Sequence, residues 1–307
     1  VKSFGIDGSI TTAIGTSFST PRVASLAAGL YQEMDEEFDP LLIKALMVHS
    51  ASYSENLKIP MDERVDQVGF GKPKSVREIL YNSPNEITLI LRDEMLKGEY
   101  LDIMEFPMPE SLIENGFYTG QIVLTLVYNP IIIPSQGAEY CQSDIEVKMG
   151  TFDNKFDRDT TRQMILNPVG KNGAKNVLLE TNYSKKTMKA KTDDFALKER
   201  LLIQYGEKYY PVKKYAVDLA DMTESNRIKF LTSDKKWYLF LNGLYRDHIE
   251  KKAQLEGQVP RQKFCLIVTI RDPKGNKPVY DEVNHKLDEF NFTHNNLKLQ
   301  TDIHVRY

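Results

Sequence analysis

Gly15-Thr16-Ser17-Phe18-Ser19-Thr20-Pro21-Arg22-Val23-Ala24 is the stretch on which the reading of this chain turns. Its residue types describe a sharp turn that runs into a helix. Gly15 permits close backbone approach and unusual dihedrals. Pro21 suits the first turn of a helix, where no intrahelical donor is lost. The helix is expected over about Ser17 to Met34. Its residues Ala24, Ser25, Leu26, Ala27, Ala28, Gly29 and Leu30 are small and mostly apolar on every side, the pattern of a helix buried all round. A reactive serine needs such a mount. The unpaired N–H groups and positive dipole end of a helix N-terminus favour the negative oxygen of a tetrahedral intermediate. The plainer reading of Ser17 is a helix-capping serine.

Working outward, Asp39 and Pro40 mark a second helix, with Asp39 as N-cap and Pro40 as first helical residue. Leu41, Leu42, Ala45, Leu46 and Val48 follow at helical spacing, and the helix should end near Ser52. Gly69-Phe70-Gly71-Lys72-Pro73 reads as a tight glycine turn. A short helix over Ser75 to Tyr81 closes this region, and Ser83-Pro84-Asn85 marks a boundary.

Together these landmarks resemble the subtilisin-like serine proteases. Gly15, Thr16, Ser17, Pro21, Val23 and Ala24 match the serine signature of that family. The segment Lys44-Ala45-Leu46-Met47-Val48-His49-Ser50-Ala51 corresponds to its next helix, which ends in a Ser/Thr-Ala step. Gly69-Phe70-Gly71 corresponds to its Gly-aromatic-Gly turn. The resemblance covers roughly the first quarter of the chain. Phe18, Ser19 and Arg22 stand where the family often has Met, Ala and His. The resemblance implies that Ser17 is the catalytic nucleophile, that its backbone N–H is one oxyanion-hole donor, and that Gly15, Thr16 and Pro21 support the motif.

The resemblance also implies a triad whose histidine and aspartate precede the serine. Of the residues before Ser17, Asp7 is acidic and none is histidine. The expectation is therefore a serine endopeptidase whose base, orienter and second oxyanion donor lie upstream, so that this chain alone is inactive. His49 sits inside the second helix and reads as a packed or surface histidine. His248, His285, His294 and His304 read as surface or structural. No HExxH, phosphate-loop or dinucleotide motif is present. No cofactor or metal is expected in this chain, and any calcium site would belong to the upstream part.

From about Ile87 onward the pattern changes to strands and turns. Strands are expected over Glu86–Leu91, Tyr100–Phe106, Gln121–Tyr128, Asp144–Met149, Arg200–Gln204, Tyr210–Leu219, Lys236–Leu241, Lys263–Ile270 and Leu297–Val305. Gln121–Tyr128 and Lys263–Ile270 are almost continuously apolar, as in strands covered on both faces. Asn129-Pro130, Asn172-Gly173 and Asp272-Pro273-Lys274-Gly275-Asn276 separate the runs. Residues from about 153 to 198 form a loop-rich excursion. The fold class expected is thus an α/β remnant, the last helices of a subtilisin-like domain over residues 1–83. A mostly antiparallel β-sandwich or jelly-roll accessory domain follows over residues 84–307.

Composition sets the outer limits. The 307 residues are 41% apolar and 27% charged, with a net charge of −3, which describes a globular chain without the basic surface that nucleic acid or an anionic membrane attracts. No apolar run approaches the ~18 residues of a spanning helix. Two cysteines, Cys141 and Cys265, form no CxxC pair and point to a reducing, cytoplasmic setting, with secretion left open. The partners expected are a polypeptide substrate and a missing N-terminal part of the peptidase domain, or another chain, that covers the Ser17 helix. A weaker likeness, carried by Tyr210-Pro211-Val212-Lys213-Lys214-Tyr215 and by Phe264–Asp281, links the chain to bacterial cytoplasmic subtilases encoded beside an AAA-type ATPase. It adds such an ATPase as an expected partner. The alternative function is a pseudoprotease or interaction module that uses the β-sandwich.

Overall fold

The computed structural model describes residues 2–12, 15–34, 38–54, 56–60, 63, 67–97, 99–135, 140–153, 211–245, 249, 253, 255–257, 259–289, 295–296 and 298–299. The expected strand Arg200–Gln204, nearly all of the 153–198 excursion, His248, His294 and His304 lie outside them.

The chain begins with a hairpin, β1 (Lys2–Phe4) and β2 (Ile10–Thr12), whose turn is held by Asp7. The carboxylate accepts bonds from the Ser9 N–H at 3.0 Å and the Ser9 hydroxyl at 2.7 Å, and these hold it below the usual carboxylate range. Next come α1 (Thr16–Glu33), α2 (Pro40–Ser50) and α3 (Val76–Leu80). The local cause at α2 matches the sequence reading, and α3 starts at a cap that reading did not name. The Asp39 side chain accepts from the N–H groups of Leu41 and Leu42, and Pro40 is the first helical residue. Ser75 and Glu78 form a reciprocal capping box that starts α3.

The strands follow in order: β3 (Tyr81–Asn82), β4 (Glu86–Leu96), β5 (Tyr100–Met104), β6 (Ile113–Glu114), β7 (Phe117–Tyr118), β8 (Gln121–Tyr128), β9 (Ser143–Asp153) and β10 (Val212–Asp218). After α4 (Glu224–Phe230) come β11 (Lys235–Tyr245) and β12 (Arg261–Arg271), then α5 (Val279–Glu289), β13 (Asn295–Asn296) and β14 (Lys298–Leu299). Among the described residues the larger sheet has the order β10-β8-β12-β4-β13 and the smaller β5-β11-β9, and every pairing in both is antiparallel.

Strand alternation divides the larger sheet into two buried faces. Ile87 and Leu89 of β4, Leu124 and Leu126 of β8, and Leu266 and Val268 of β12 share one core with Ile145, Val147, Trp237, Leu239 and Leu241 of the smaller sheet. On the opposite face Ile90, Val127, Cys265 and Ile267 form a second core with Leu41, Leu42, Ala45 and Leu46 of α2, Ile79 and Leu80 of α3, and Leu30 of α1. The result is a helical layer, a five-stranded sheet and a three-stranded sheet. This explains why β8 is buried at every position and why its sequence is almost continuously apolar. Val279, Val283 and Leu287 of α5, one turn apart, close the core between the sheets.

The expectation for α1 needs correction. A helix so uniformly apolar was expected to be buried all round, yet Leu30 is its one fully buried residue and Thr16–Ser25 are exposed. Its C-terminal half crosses α3 closely: a Cβ on Gly29 would meet Val76 Cγ2 at 2.9 Å. Its N-terminal half meets no other described element that buries it, and Phe18 and Val23 are 38% and 41% exposed.

The helical core and the sheet share residues across the chain, so they should unfold together. Leu46→Ala should cost about 2–5 kcal/mol, the usual range for a buried Leu→Ala change. Its urea midpoint should fall equally by helical circular dichroism and by fluorescence of Trp237, which lies in the distant core. A Trp237 midpoint that stays put would show two independent units.

Candidate functional site

Gly15 is the N-cap of α1, so Ser17 is the second helical residue and not its cap. That removes the capping reading. Ser17 is exposed, and among the described residues its hydroxyl has no hydrogen-bond partner. Within the helix no carbonyl stands behind Ser17 to accept its N–H, whereas the next residue, Phe18, donates its N–H to the Gly15 carbonyl at 3.1 Å. The neighbours are differently engaged: the Ser19 and Thr20 hydroxyls donate back to the Gly15 and Thr16 carbonyls at 3.3 and 2.9 Å.

Pro21 lies one turn further in than expected. It is the sixth helical residue, inside α1. Lacking an N–H, it cannot pair with the Ser17 carbonyl four residues back, and its ring crowds that carbonyl. The turn that carries Ser17 is therefore looser than the turn behind it.

Gly15 also differs from its expected role. Its φ of 165° is ordinary extended backbone, and a Cβ there would meet only Phe18 Cδ2, at 3.9 Å. Nothing in the surrounding fold demands a glycine. Gly71 is the contrast. Its φ is +86°, and a Cβ would stand 2.4 Å from the Ser52 carbonyl oxygen. At this point the chain after α2 pairs with the chain before α3, through reciprocal N–H to carbonyl bonds between Ser52 and Lys72.

A groove of about 1010 Å3 runs along the exposed side of α1. Gly15, Phe18, Arg22 and Leu26 line it together with Tyr53 and Pro73. Lys72 and Lys74 also line it, as does Glu78, whose carboxylate is held by Ser75.

The described histidines do not complete a triad. His285 is exposed on α5, whose apolar side belongs to the core between the sheets. His49 is turned into the fold. Its Nδ1 lies 2.8 Å from the Thr125 hydroxyl of β8, and its Nε2 lies 2.7 Å from the Thr269 hydroxyl of β12. Both ring nitrogens are thus engaged by the sheet. Burial pushes its pKa well below the ordinary histidine value, and the nearby cations Lys214, Lys74 and Arg271 push the same way. Sequence reading placed His49 in the helix but missed its partners. The signal was present: β4, β8 and β12 each carry a threonine within an otherwise apolar run, at Thr88, Thr125 and Thr269.

Cys141 and Cys265 are free and buried, and burial raises the Cys265 thiol to about 12. Among the described residues no group of three or more His, Cys, Asp or Glu side chains is placed to hold a metal ion, and no helix is long and apolar enough to cross a membrane.

The two glycines give a direct comparison. Gly71→Ala should lower stability by more than about 2 kcal/mol, through positive φ together with backbone overlap. Gly15→Ala should cost less than about 1 kcal/mol, the scale of an N-cap change. Urea denaturation of the two variants measures both, and an equal loss would overturn the distinction.

Residues 6–72 match the model of the subtilase family. The match runs from the β1–β2 turn through α1 and α2 to the Ser52–Lys72 pairing. No curated protein matches the chain significantly.

Proposed function

We propose that the chain is the nucleophile-bearing part of a subtilisin-type serine endopeptidase, with Ser17 attacking the scissile carbonyl. The observation that carries this reading is the placement of Ser17 inside the subtilase-matched region. It is exposed, in a first helical turn, with its hydroxyl unengaged and its N–H unpaired within the helix.

In this reading the Ser17 Oγ forms a bond to the carbonyl carbon as its proton passes to a histidine. The Ser17 N–H and the positive end of α1 stabilise the oxyanion that develops. An aspartate orients the histidine, which then protonates the leaving amine, and water releases the acyl group. Gly15, unneeded by the fold, leaves its open side for the approaching substrate backbone. Thr16 and Pro21 shape the turn. His49 cannot be the base, because both of its nitrogens already serve the sheet. The base, the orienter and a second oxyanion donor therefore come from outside the described residues, on the same polypeptide or on another chain.

The partners of this reading are a polypeptide substrate and a segment or chain that covers the exposed half of α1. An AAA-type ATPase is the third, and it rests on the likeness of two segments. The division of the chain follows the same reading. Residues 1–83 supply the last helices of a peptidase domain, and residues 84–307 supply an accessory sandwich whose larger sheet supports those helices. The two free buried cysteines fit a cytoplasmic setting.

Labelling with a fluorophosphonate tests the proposal in the protein as its source cells make it. Wild type should be labelled and Ser17→Ala should lose the label. A folded wild-type protein that takes no label would sink the enzyme reading and favour an interaction module.

A further inference from the structure

His49 joins α2 to three adjacent strands. Its two ring nitrogens meet Thr125 of β8 and Thr269 of β12, and Thr269 meets Thr88 of β4 at 2.7 Å. Thr88 and Thr269 are directly opposed in the β4–β12 register. All three threonines are buried. A neutral imidazole suits this chain of groups, because one nitrogen donates and the other accepts while the hydroxyls rotate to match.

The charges around the ring come from every element packed on it. Lys214 of β10, Arg271 of β12 and Lys74 of the segment before α3 bear on it as cations. Glu78 of α3 and Glu86 of β4 line the same small cavity as His49. β8 contributes no charge there, only Val123 and Thr125. Both carboxylates are held by their own turns, Glu78 by the Ser75 N–H and hydroxyl and Glu86 by the Ser83 N–H at 3.2 Å. Arg271 donates to Gln121 at 2.8 Å. The C-terminal end of a helix ordinarily welcomes a cation. Here Lys214 already fills that role, donating to the Ala51 carbonyl just past α2 at 2.5 Å. An imidazolium would be a fourth cation facing two engaged carboxylates.

The cavity beside His49 measures about 50 Å3, and Lys74, Glu78, Asn82, Glu86 and Arg271 contribute its polar lining. At roughly 10–15 Å3 per enclosed water it has room for a few water molecules, which gives protons a route to the ring.

We propose that His49 is an acid-released latch: while neutral it fastens α2 to the threonines of the larger sheet, and its protonation frees α2 from that sheet. The latch acts on the helical layer whether or not Ser17 is a nucleophile.

The direction in pH follows from linkage. The ring binds a proton more readily when α2 is released than when it is docked. The docked state is therefore fully favoured above about pH 6.5 and loses its advantage as pH falls towards the docked-state pKa.

Hydrogen exchange on the intact 307-residue chain, corrected for intrinsic rates, measures the opening of α2 amides between pH 7.5 and pH 4.5. The expected result is an opening constant that rises about tenfold per pH unit below 6.5, with a smaller rise at β11 amides and a flattened slope in His49→Gln. An α2 slope that is the same in His49→Gln, or absent in wild type, overturns the proposal. Should His49→Gln fail to fold, the wild-type ring decides by nuclear magnetic resonance. Its signal is identified by Overhauser contacts to the Thr125 and Thr269 methyl groups. Titration of the docked ring below 6.5 supports the latch, and titration at or above 6.5 overturns it.

Discussion

The structure depends on the burial of one sheet on both of its faces. β4, β8 and β12 turn Leu and Ile side chains towards the smaller sheet and Ile90, Val127, Cys265 and Ile267 towards the helices. A sheet covered in this way has no polar face to offer water, so each covering layer is needed for the other to stay in place. α2 alone commits four large apolar residues, Leu41, Leu42, Ile43 and Leu46, to this contact. At about 1.5–3 kcal/mol for each fully buried side chain, that contribution matches the whole net stability of an ordinary domain. The helices of the subtilase-matched region, α1 and α2, are thus held by the sheet that follows them.

Much of this was legible because local chemistry and tertiary packing agree. Asp39-Pro40 and Ser75 with Glu78 name their helix starts, since a capping side chain and its orphan N–H groups lie within three residues of each other. The run from Gln121 to Tyr128 announced a strand buried on both faces, and its bounds agree with the structure residue for residue. Other strands are longer than their apolar cores: β4 runs on through Arg92, Asp93 and Glu94, where pairing with β12 continues although the side chains turn polar. α5 was not anticipated, although Val279, Val283 and Leu287 repeat at helical spacing.

The candidate site was legible as a motif and much less so as geometry. Six residues, Ser17 among them, carry a specific pattern, and the structure places that serine two residues past the cap, on an exposed first turn. Composition identified α1 as a helix that wants cover, but it cannot say what supplies it. That is why the expectation of burial failed over Thr16–Ser25. The roles expected of Gly15 and Pro21 shifted for a similar reason. Dihedral need and position within a turn are properties of the folded backbone, and the residue name constrains them only loosely. His49 is the converse case: a polar side chain in an apolar helix whose partners lie 76 and 220 residues away, too far for any local pattern to join them.

The exposed half of α1 makes that helix a lever. Its fulcrum is Leu30, wedged beside α2 and α3, and Ser17 rides thirteen residues away, about 20 Å at 1.5 Å per residue. A tilt of only about 3° at the fulcrum swings the serine by about 1 Å, a displacement that can cost on the order of a hundredfold in the rate of a positioned reaction. In the proposed endopeptidase the aim of Ser17 is therefore set by whatever steadies the lever's free arm, and by the close crossing at Gly29 and Val76. A contact far from the reacting atoms, or a single methyl group added at that crossing, would act on chemistry through an angle.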